Sequence, residues 1–172
     1  ADRQGERIVI EYSSPNTNKP QHLGHCRNNV LGAVTANLLE ASSADVIRVN
    51  LINDRGIHIC KSMVAYQAFG EGATPESSGL KGDHLIGDFY VRFETAFKSE
   101  YGLYCENTTE PLDRDKFFNS DLSKWGKSAR EMLRAWESGD SEVHALWQLL
   151  NGWCESGFAQ TYERMGIHFD RV

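Results

Sequence analysis

The 172-residue chain has no long apolar run, no internal repeat and no low-complexity tract. No stretch approaches the roughly 18 apolar residues of a membrane-spanning helix, so we expect no membrane segment. No basic stretch followed by an apolar one opens the sequence, so no secretion signal is visible. The formal net charge of −6 argues against a protein that holds nucleic acid by charge alone.

The four cysteines, at positions 26, 60, 105 and 154, are widely spaced. No pair has the C-x-x-C spacing of a zinc or redox motif, and we predict no metal held by protein side chains. Dispersed cysteines in a chain without a visible secretion signal indicate reduced thiols. This pattern predicts a cytoplasmic protein.

Strand and helix patterns alternate over residues 1–69. Residues 7–12 (RIVIEY) predict a buried strand and residues 45–51 (DVIRVNL) a second strand. Apolar residues at helical spacing follow each strand, from Leu23 and from Ile57. This order predicts an α/β fold, the first half of a doubly wound parallel sheet. In such sheets ligands bind beyond the carboxyl ends of the strands, which here are loops 13–21 and 52–56.

A connecting insertion is expected over residues 70–119. Its Gly- and Ser-rich start, 70–83, predicts a mobile connection, and its end, 101–119, predicts irregular structure because periodicity is weak there. Between them a helix is predicted by apolar residues at every fourth position, namely Leu85, Phe89, Phe93 and Phe97.

Two further helices are expected in the last segment, residues 120–172. The first contains Trp125 and Trp136, and the second begins after Asp140, a good helix-capping residue. The final residues, IHFDRV, predict the start of another strand. A chain that ends as it enters a strand is expected to be part of a longer protein.

The segment 11–27 (EYSSPNTNKPQHLGHCR) holds the residues best suited to chemistry. It closes a strand and opens a helix, whose first unpaired N–H groups form an anion site. Lys19, His22 and His25 are placed beside this site, and the two histidines, three residues apart, share one helix face. Gly24 between them lets a bulky group approach the backbone. The arrangement suits a phosphate and the charge that develops when a phosphoryl group is attacked.

Other interpretations of these residues stay open on spacing alone. The two histidines could cap the helix, face solvent or bind zinc, although two imidazoles without a third ligand make a weak zinc site. Lys19 could be a surface lysine. Asn53, Asp54 and Gly56, after the second strand, could support the floor of a pocket or cap the next helix.

A family resemblance rests on these same residues. The string PNTNKPQHLGH resembles the HIGH signature of class I aminoacyl-tRNA synthetases, and EYSSPNTNKPQHLGHCRNN is similar to its arginyl-tRNA synthetase form. Further similar segments are VIRVNLINDRGIHICKSM, GDHLIGDFYVRF, REMLRAWESGD and TYERMGIHFD. The resemblance implies that residues 1–172 are part of a Rossmann-like catalytic domain. Its HIGH-like motif comprises Pro15, Asn16, Thr17, Asn18, Lys19, Pro20, Gln21, His22, Leu23, Gly24 and His25.

Roles for individual residues follow from this resemblance. It implies that His22 and His25 stabilise the phosphates of ATP, that Gly24 leaves room for the adenine, and that Lys19 contacts the β- and γ-phosphates. It also implies an arginine site. There Ser14 and Asn16 hold the amino and carboxylate groups, His25 lies beside the amino acid, and the Glu11 carboxylate balances the guanidinium, unless Glu11 is only a structural acid.

The resemblance further implies an ATP-dependent arginine–tRNA ligase. Its substrates are L-arginine, ATP with Mg²⁺, and tRNA(Arg) bound by the full-length protein. The KMSKS-equivalent loop and the anticodon-binding domain are not found in this sequence, so we expect the chain alone to be monomeric and inactive. Two alternatives remain: a small H-x-G-H nucleotidyltransferase, and a non-catalytic synthetase-like module that binds arginine or a partner.

Overall fold

The protein was analysed as a computed structural model that describes residues 2–172. Two strands and seven helices follow one another over these residues. In chain order they are β1 (Arg7–Glu11), α1 (Leu23–Ala41), β2 (Asp45–Val49), α2 (Ile57–Phe69), α3 (Pro75–Ser78), α4 (Gly82–Glu106), α5 (Arg114–Asn119), α6 (Lys124–Glu137) and α7 (Ser141–Met165). The predicted alternation of strand and helix in the first 69 residues is confirmed.

The two strands form a parallel pair, with Arg7 opposite Asp45 and Glu11 opposite Val49. Helix α1 makes the crossover between them, so the loops that follow β1 and β2 leave the same edge of the sheet. On the far side of β2, Arg171 makes a parallel bridge with Val49, and its N–H donates to the carbonyl oxygen of Arg48 at 3.1 Å. The last residues therefore begin to pair as a third parallel segment.

Most of the core lies in the helical layer. Phe89, Phe93 and Phe97 of α4 are buried, as their spacing predicts, and they pack with aromatic and aliphatic side chains of α2, α5, α6 and α7. Helices α4 and α7 approach closely because Gly82 has no side chain. A Cβ atom on Gly82 would collide with the backbone carbonyl of Trp153. The sheet side has a much smaller buried cluster, formed by Ala36, Ala44 and Val46.

The expectation of irregular structure at 101–119 is wrong at both ends of that segment and correct for residues 107–113. Helix α4 continues to Glu106, and α5 begins after Asp113, whose side chain accepts a hydrogen bond from the Lys116 N–H at 2.8 Å. Tertiary contacts stabilise both pieces, because the Tyr104 and Phe117 rings stack with centroids 4.4 Å apart. The connection at 70–83 also contains a helical turn, α3, capped by Thr74.

Helix α1 has the predicted period, but most of its large apolar residues face outward. Leu23 is 85% exposed and Leu38 65% exposed, and Val30, Leu31 and Val34 are also exposed. Residues 30, 34 and 38 are four apart and share one face of the helix. Within residues 2–172, nothing covers this face. Across the same described range, no helix is long and apolar enough to cross a membrane.

Candidate functional site

The loops that follow β1 and β2 are joined by backbone hydrogen bonds. Asn16 and Asn53 form a parallel bridge, the Asn53 N–H donates to the Pro15 carbonyl at 3.0 Å, and the Thr17 N–H donates to the Asn53 carbonyl at 3.1 Å. The site at the carboxyl ends of the strands is thus one continuous surface, as the topology predicts.

Asn53 and Asp54 do not cap α2, so the capping interpretation is wrong for them. The N-cap of α2 is Gly56, whose φ of 119° is a conformation that glycine adopts without strain. The Asp54 carbonyl instead accepts hydrogen bonds from Trp147 Nε1 at 2.6 Å and Asn151 Nδ2 at 3.3 Å. This loop is therefore fixed to α7.

His22 and His25 cap helix α1 reciprocally. The Gly24 N–H donates to Nδ1 of His22 at 3.1 Å, and the His22 N–H donates to Nδ1 of His25 at 3.2 Å. The two ring centroids are 4.0 Å apart. Histidines here occupy the two positions of a capping box, which Ser or Thr and Glu usually fill. The hydrogen bonds thus confirm the interpretation that the two histidines cap the helix.

The capping bonds also fix the tautomer of both rings. Each Nδ1 accepts a hydrogen from a backbone N–H, so each neutral ring carries its own proton on Nε2. Within residues 2–172 no group accepts that proton. Partial burial, together with the charges of His22 and Lys19, lowers the pKa of His25, so this ring stays neutral near pH 7. The pair therefore presents two Nε2–H donors, and that of His25 belongs to a neutral ring.

One sequence-based expectation changes in detail. The Gly24 N–H, expected to be unpaired at the helix start, is used by the His22 ring. Gly24 also has a local structural reason to be glycine, because a Cβ there would lie 2.9 Å from Cε1 of His22. Anion binding at this helix start would therefore depend mainly on the imidazole Nε2–H groups rather than on the first backbone N–H groups.

Lys19 is exposed and lies near His25 and His58. Burial is the main cause that lowers the pKa of both His25 and His58, and the charge of Lys19 contributes in the same direction. The neighbouring Pro20 packs against Gly87 of α4, where a Cβ would lie 2.6 Å from the proline ring. The loop is thus fixed behind Lys19 while its ammonium group faces solvent.

The end of β1 places two of the expected arginine-site residues, Glu11 and Ser14, at a second feature of the surface, whereas Asn16 and His25 do not line it. A cavity of about 400 Å³ is lined by Glu11, Ser14 and residues of α1 that include Asn28 and Thr35. The Ser14 hydroxyl donates to Oε1 of Glu11 at 2.9 Å. Asn16 is exposed, one residue beyond the buried Pro15. The cavity therefore has one carboxylate, with its position fixed by a hydroxyl.

A buried polar layer lies beneath this surface and was missed by sequence reasoning. The Ser13 hydroxyl is 2.7 Å from the Tyr162 hydroxyl, to which Asn50 Nδ2 donates at 3.3 Å. Nearby, the Gln21 side-chain oxygen accepts from Asn29 Nδ2 at 2.8 Å. Asn50 had a usable signal, since it directly follows a strand, whereas Tyr162 is 149 residues from Ser13 and had none.

Two other features of the described residues lie outside this site. A larger cavity, about 660 Å³, lies between α2 and α6 and is lined by Val64, Trp125 and Met132, with no candidate site residue among its walls. No group of three or more His, Cys, Asp or Glu side chains in residues 2–172 is arranged to hold a metal ion.

Comparison with known proteins adds independent information. Residues 1–171 match the family described as tRNA synthetases class I (R), catalytic domain. The chain is 51% identical over 172 residues to the arginine–tRNA ligase of Bacteroides fragilis, covering all of this chain and 28% of that ligase. It is 51% identical over 170 residues to that of Parabacteroides distasonis, covering 98% of this chain and 28% of the relative. The chain thus spans little more than a quarter of these relatives.

Solved structures agree on the fold. Arginyl-tRNA synthetase from Thermus thermophilus superposes with a TM-score of 0.64 at 23% identity, covering 99% of this chain and 24% of that one. The enzyme from Plasmodium falciparum gives a TM-score of 0.51 at 20% identity, covering 99% of this chain and 24% of that one. Because the family match extends over residues 1–171, the chain belongs to the class I tRNA synthetases of the arginine type and lies within their catalytic domain.

Proposed function

We propose that this chain forms the first half of the site in which an arginine–tRNA ligase activates L-arginine with ATP and transfers it to tRNA(Arg). The observation that carries the proposal is the reciprocal pair His22 and His25, which presents two Nε2–H groups at the start of α1. Membership of the arginine-type family supports the choice of amino acid and of tRNA.

The first step needs little proton chemistry from the protein. A carboxylate oxygen of arginine attacks the α-phosphorus of ATP, a new O–P bond forms, and the bond to the β-phosphate bridging oxygen breaks. Pyrophosphate leaves with the electron pair of the broken bond. The Mg²⁺ that enters with ATP as substrate neutralises part of the charge of pyrophosphate. Because the nucleophile is already an anion, the task is to orient the reactants and stabilise charge on phosphate oxygens. The Nε2–H groups of His22 and His25 serve that purpose.

The loop residues divide between the two substrates. Lys19, exposed beside the histidines, contacts the β- and γ-phosphates, and Gly24 keeps the adenosine side of the site open. Glu11 faces the arginine guanidinium, while Ser14 and Asn16 hold the amino and carboxylate groups, with His25 beside them. The hydrogen bond of 2.9 Å between the Ser14 hydroxyl and the Glu11 carboxylate supports this assignment, because both side chains lie at one cavity.

The adenylate then passes arginine to the terminal ribose of the tRNA, a step that uses surfaces beyond these 172 residues. We place the complete protein in the cytoplasm, where the four free thiols would stay reduced, and take the isolated chain to be a monomer. We further divide the chain into the nucleotide-binding segment 1–69, the insertion 70–119 and the helical segment 120–172.

The proposal is tested by arginine-dependent exchange of labelled pyrophosphate into ATP. The exchange is measured with a full-length ligase that carries this segment and with tRNA(Arg) present. We expect exchange with arginine and none with lysine or citrulline, and no charging by the 172-residue chain alone. Exchange driven by a metabolite other than an amino acid would indicate a nucleotidyltransferase. Arginine binding without exchange would indicate a non-catalytic module.

Replacing Lys19 with methionine should weaken the use of ATP. The substitution keeps the length of the side chain but removes its charge, and a lost charged hydrogen bond corresponds to roughly a 10- to 100-fold decrease in kcat/KM for ATP. Steady-state charging of tRNA at varied ATP concentration measures the effect. The control is Lys98→Met, an exposed lysine on α4. A kcat/KM for ATP within twofold of wild type in Lys19→Met would contradict the assignment.

A further inference from the structure

Two consecutive serines after β1 have left-handed backbone conformations. The φ angle is 77° at Ser13 and 46° at Ser14, a region that non-glycine residues rarely occupy. Such residues are strained and persist only where surrounding structure holds them. The turn lies directly between Glu11 and Asn16, two of the residues assigned to arginine. What holds the turn therefore also fixes the geometry of that pocket.

Tyr162 and Asn50 hold the turn from below. The Ser13 hydroxyl is 2.7 Å from the Tyr162 hydroxyl, and Asn50 donates to the same tyrosine oxygen through Nδ2 at 3.3 Å. The Oδ1 atom of Asn50 accepts the Ser14 N–H at 3.1 Å. Ser13, Asn50 and Tyr162 are all buried, so water does not easily replace these bonds. One tyrosine hydroxyl thus connects both strained residues.

Tyr162 is itself fixed by the end of the chain. It lies in the last turn of α7, and its ring packs edge-on against Phe169 with centroids 5.1 Å apart. Phe169 contacts Tyr12, whose hydroxyl donates to the carbonyl oxygen of His168 at 3.1 Å. The N–H of Arg48 donates to the Asp170 carboxylate at 2.7 Å, which fixes this segment to β2.

We propose that Tyr162 is a positioning residue for the arginine pocket. Through Ser13 it sets the turn that places the Ser14 hydroxyl, and Ser14 in turn holds the Glu11 carboxylate at 2.9 Å. Tyr162 is buried and does not line the cavity at Glu11 and Ser14. The proposal rests on the proposed function, because it takes Glu11 and Ser14 as the residues that bind arginine.

The test is Tyr162→Phe in a full-length ligase that carries this segment. The variant keeps the ring but leaves Asn50 and Ser13 without their shared partner, and we expect KM for arginine to rise about tenfold. KM for ATP should stay within twofold, since the histidine pair is capped by its own helix. Tyr104→Phe is the control, because its hydroxyl accepts a backbone N–H far from this turn, that of Leu112, at 3.2 Å.

A second variant separates positioning from general stability. Ser13→Gly relieves the backbone strain, because glycine adopts positive φ freely. In the Ser13→Gly background, adding Tyr162→Phe should raise KM for arginine by less than twofold, so that the two changes are not additive. Equal increases in both KM values for Tyr162→Phe, or full additivity with Ser13→Gly, would overturn the positioning role.

The wild-type measurement distinguishes the two proposals. If the wild-type ligase shows no arginine-dependent exchange, the proposed function is wrong, whatever Tyr162 does. If it shows exchange and Tyr162→Phe leaves KM for arginine within twofold, only the positioning role is wrong.

Thermal denaturation of each variant shows whether it is folded. If Tyr162→Phe does not fold, Ser13→Ala becomes the deciding variant, because it removes the same hydrogen bond from the serine side. In that case an unchanged KM for arginine in Ser13→Ala rejects the role.

Discussion

Replacing His22 with asparagine in a full-length ligase that carries this segment should slow arginine activation about 10²- to 10³-fold. Asparagine is a good N-cap, so its side-chain oxygen can still accept the Gly24 N–H. It has no group at the position of the Nε2–H donor. Removing one preorganised donor from developing charge typically has an effect of this size on kcat. Pyrophosphate exchange in the presence of tRNA(Arg) measures the rate.

Two further variants make this result specific. His25→Gln keeps an acceptor for the His22 N–H, since Gln is common at that position of a capping box, and it replaces the imidazole Nε2–H donor with an amide NH₂ group on a more flexible side chain. It should slow exchange to a similar extent. His22→Ala removes both cap and donor and should lose about 1 kcal/mol of helix stability as well. Exchange within threefold of wild type in His22→Asn would mean that the imidazoles only cap the helix.

Replacing Phe93 with alanine should lower the free energy of unfolding by ~3–5 kcal/mol, the usual range for a buried Phe changed to Ala. Phe93 is fully buried at the centre of the helical layer. Its ring packs edge-on against Trp125 of α6 at 5.4 Å, and the Lys61 ammonium of α2 lies 5.6 Å from its centre. The cavity left by alanine would therefore loosen three helices at once. Urea unfolding of the 172-residue chain, followed by tryptophan fluorescence, measures the change.

The control for Phe93→Ala lies on the same helix. Val91 is 61% exposed, and Val91→Ala should change the free energy of unfolding by less than about 0.5 kcal/mol. Both variants place an alanine on the same helix, so the comparison contrasts the loss of a buried side chain with the loss of an exposed one. A loss below about 1 kcal/mol in Phe93→Ala would show that the core is centred elsewhere.

The location of the site could be inferred from sequence because its signals are local. A β-branched run, a Pro- and Asn-rich loop and two histidines at helical spacing lie within residues 7–25. Parallel topology then requires the loops after β1 and β2 to meet, and Asn16 does pair with Asn53. Whether His22 and His25 cap the helix or serve a ligand could not be read from spacing. The structure shows that Nδ1 caps while Nε2–H stays available, so the two interpretations are compatible.

Other features depended on contacts between distant residues. The periodicity of α1 correctly predicted a helix, but periodicity does not tell whether a helix face is covered. Val30, Val34 and Leu38 are exposed, and residues 2–172 supply only a two-stranded sheet. The segment 101–119 looked irregular because α5 is six residues long and is stabilised by stacking on Tyr104 rather than by its own pattern.

The sequence by itself determined the order of the elements, the place of the loop proposed to bind phosphate and the family resemblance, because each depends on neighbouring residues and on backbone preferences. Only the tertiary structure decided which hydroxyl holds the strained turn at Ser13 and Ser14, and which faces of the helices are buried. Those outcomes come from packing between residues far apart in the chain, such as Ser13 and Tyr162. No local pattern records such a contact, because its free energy exists only once the helical layer and the sheet have come together.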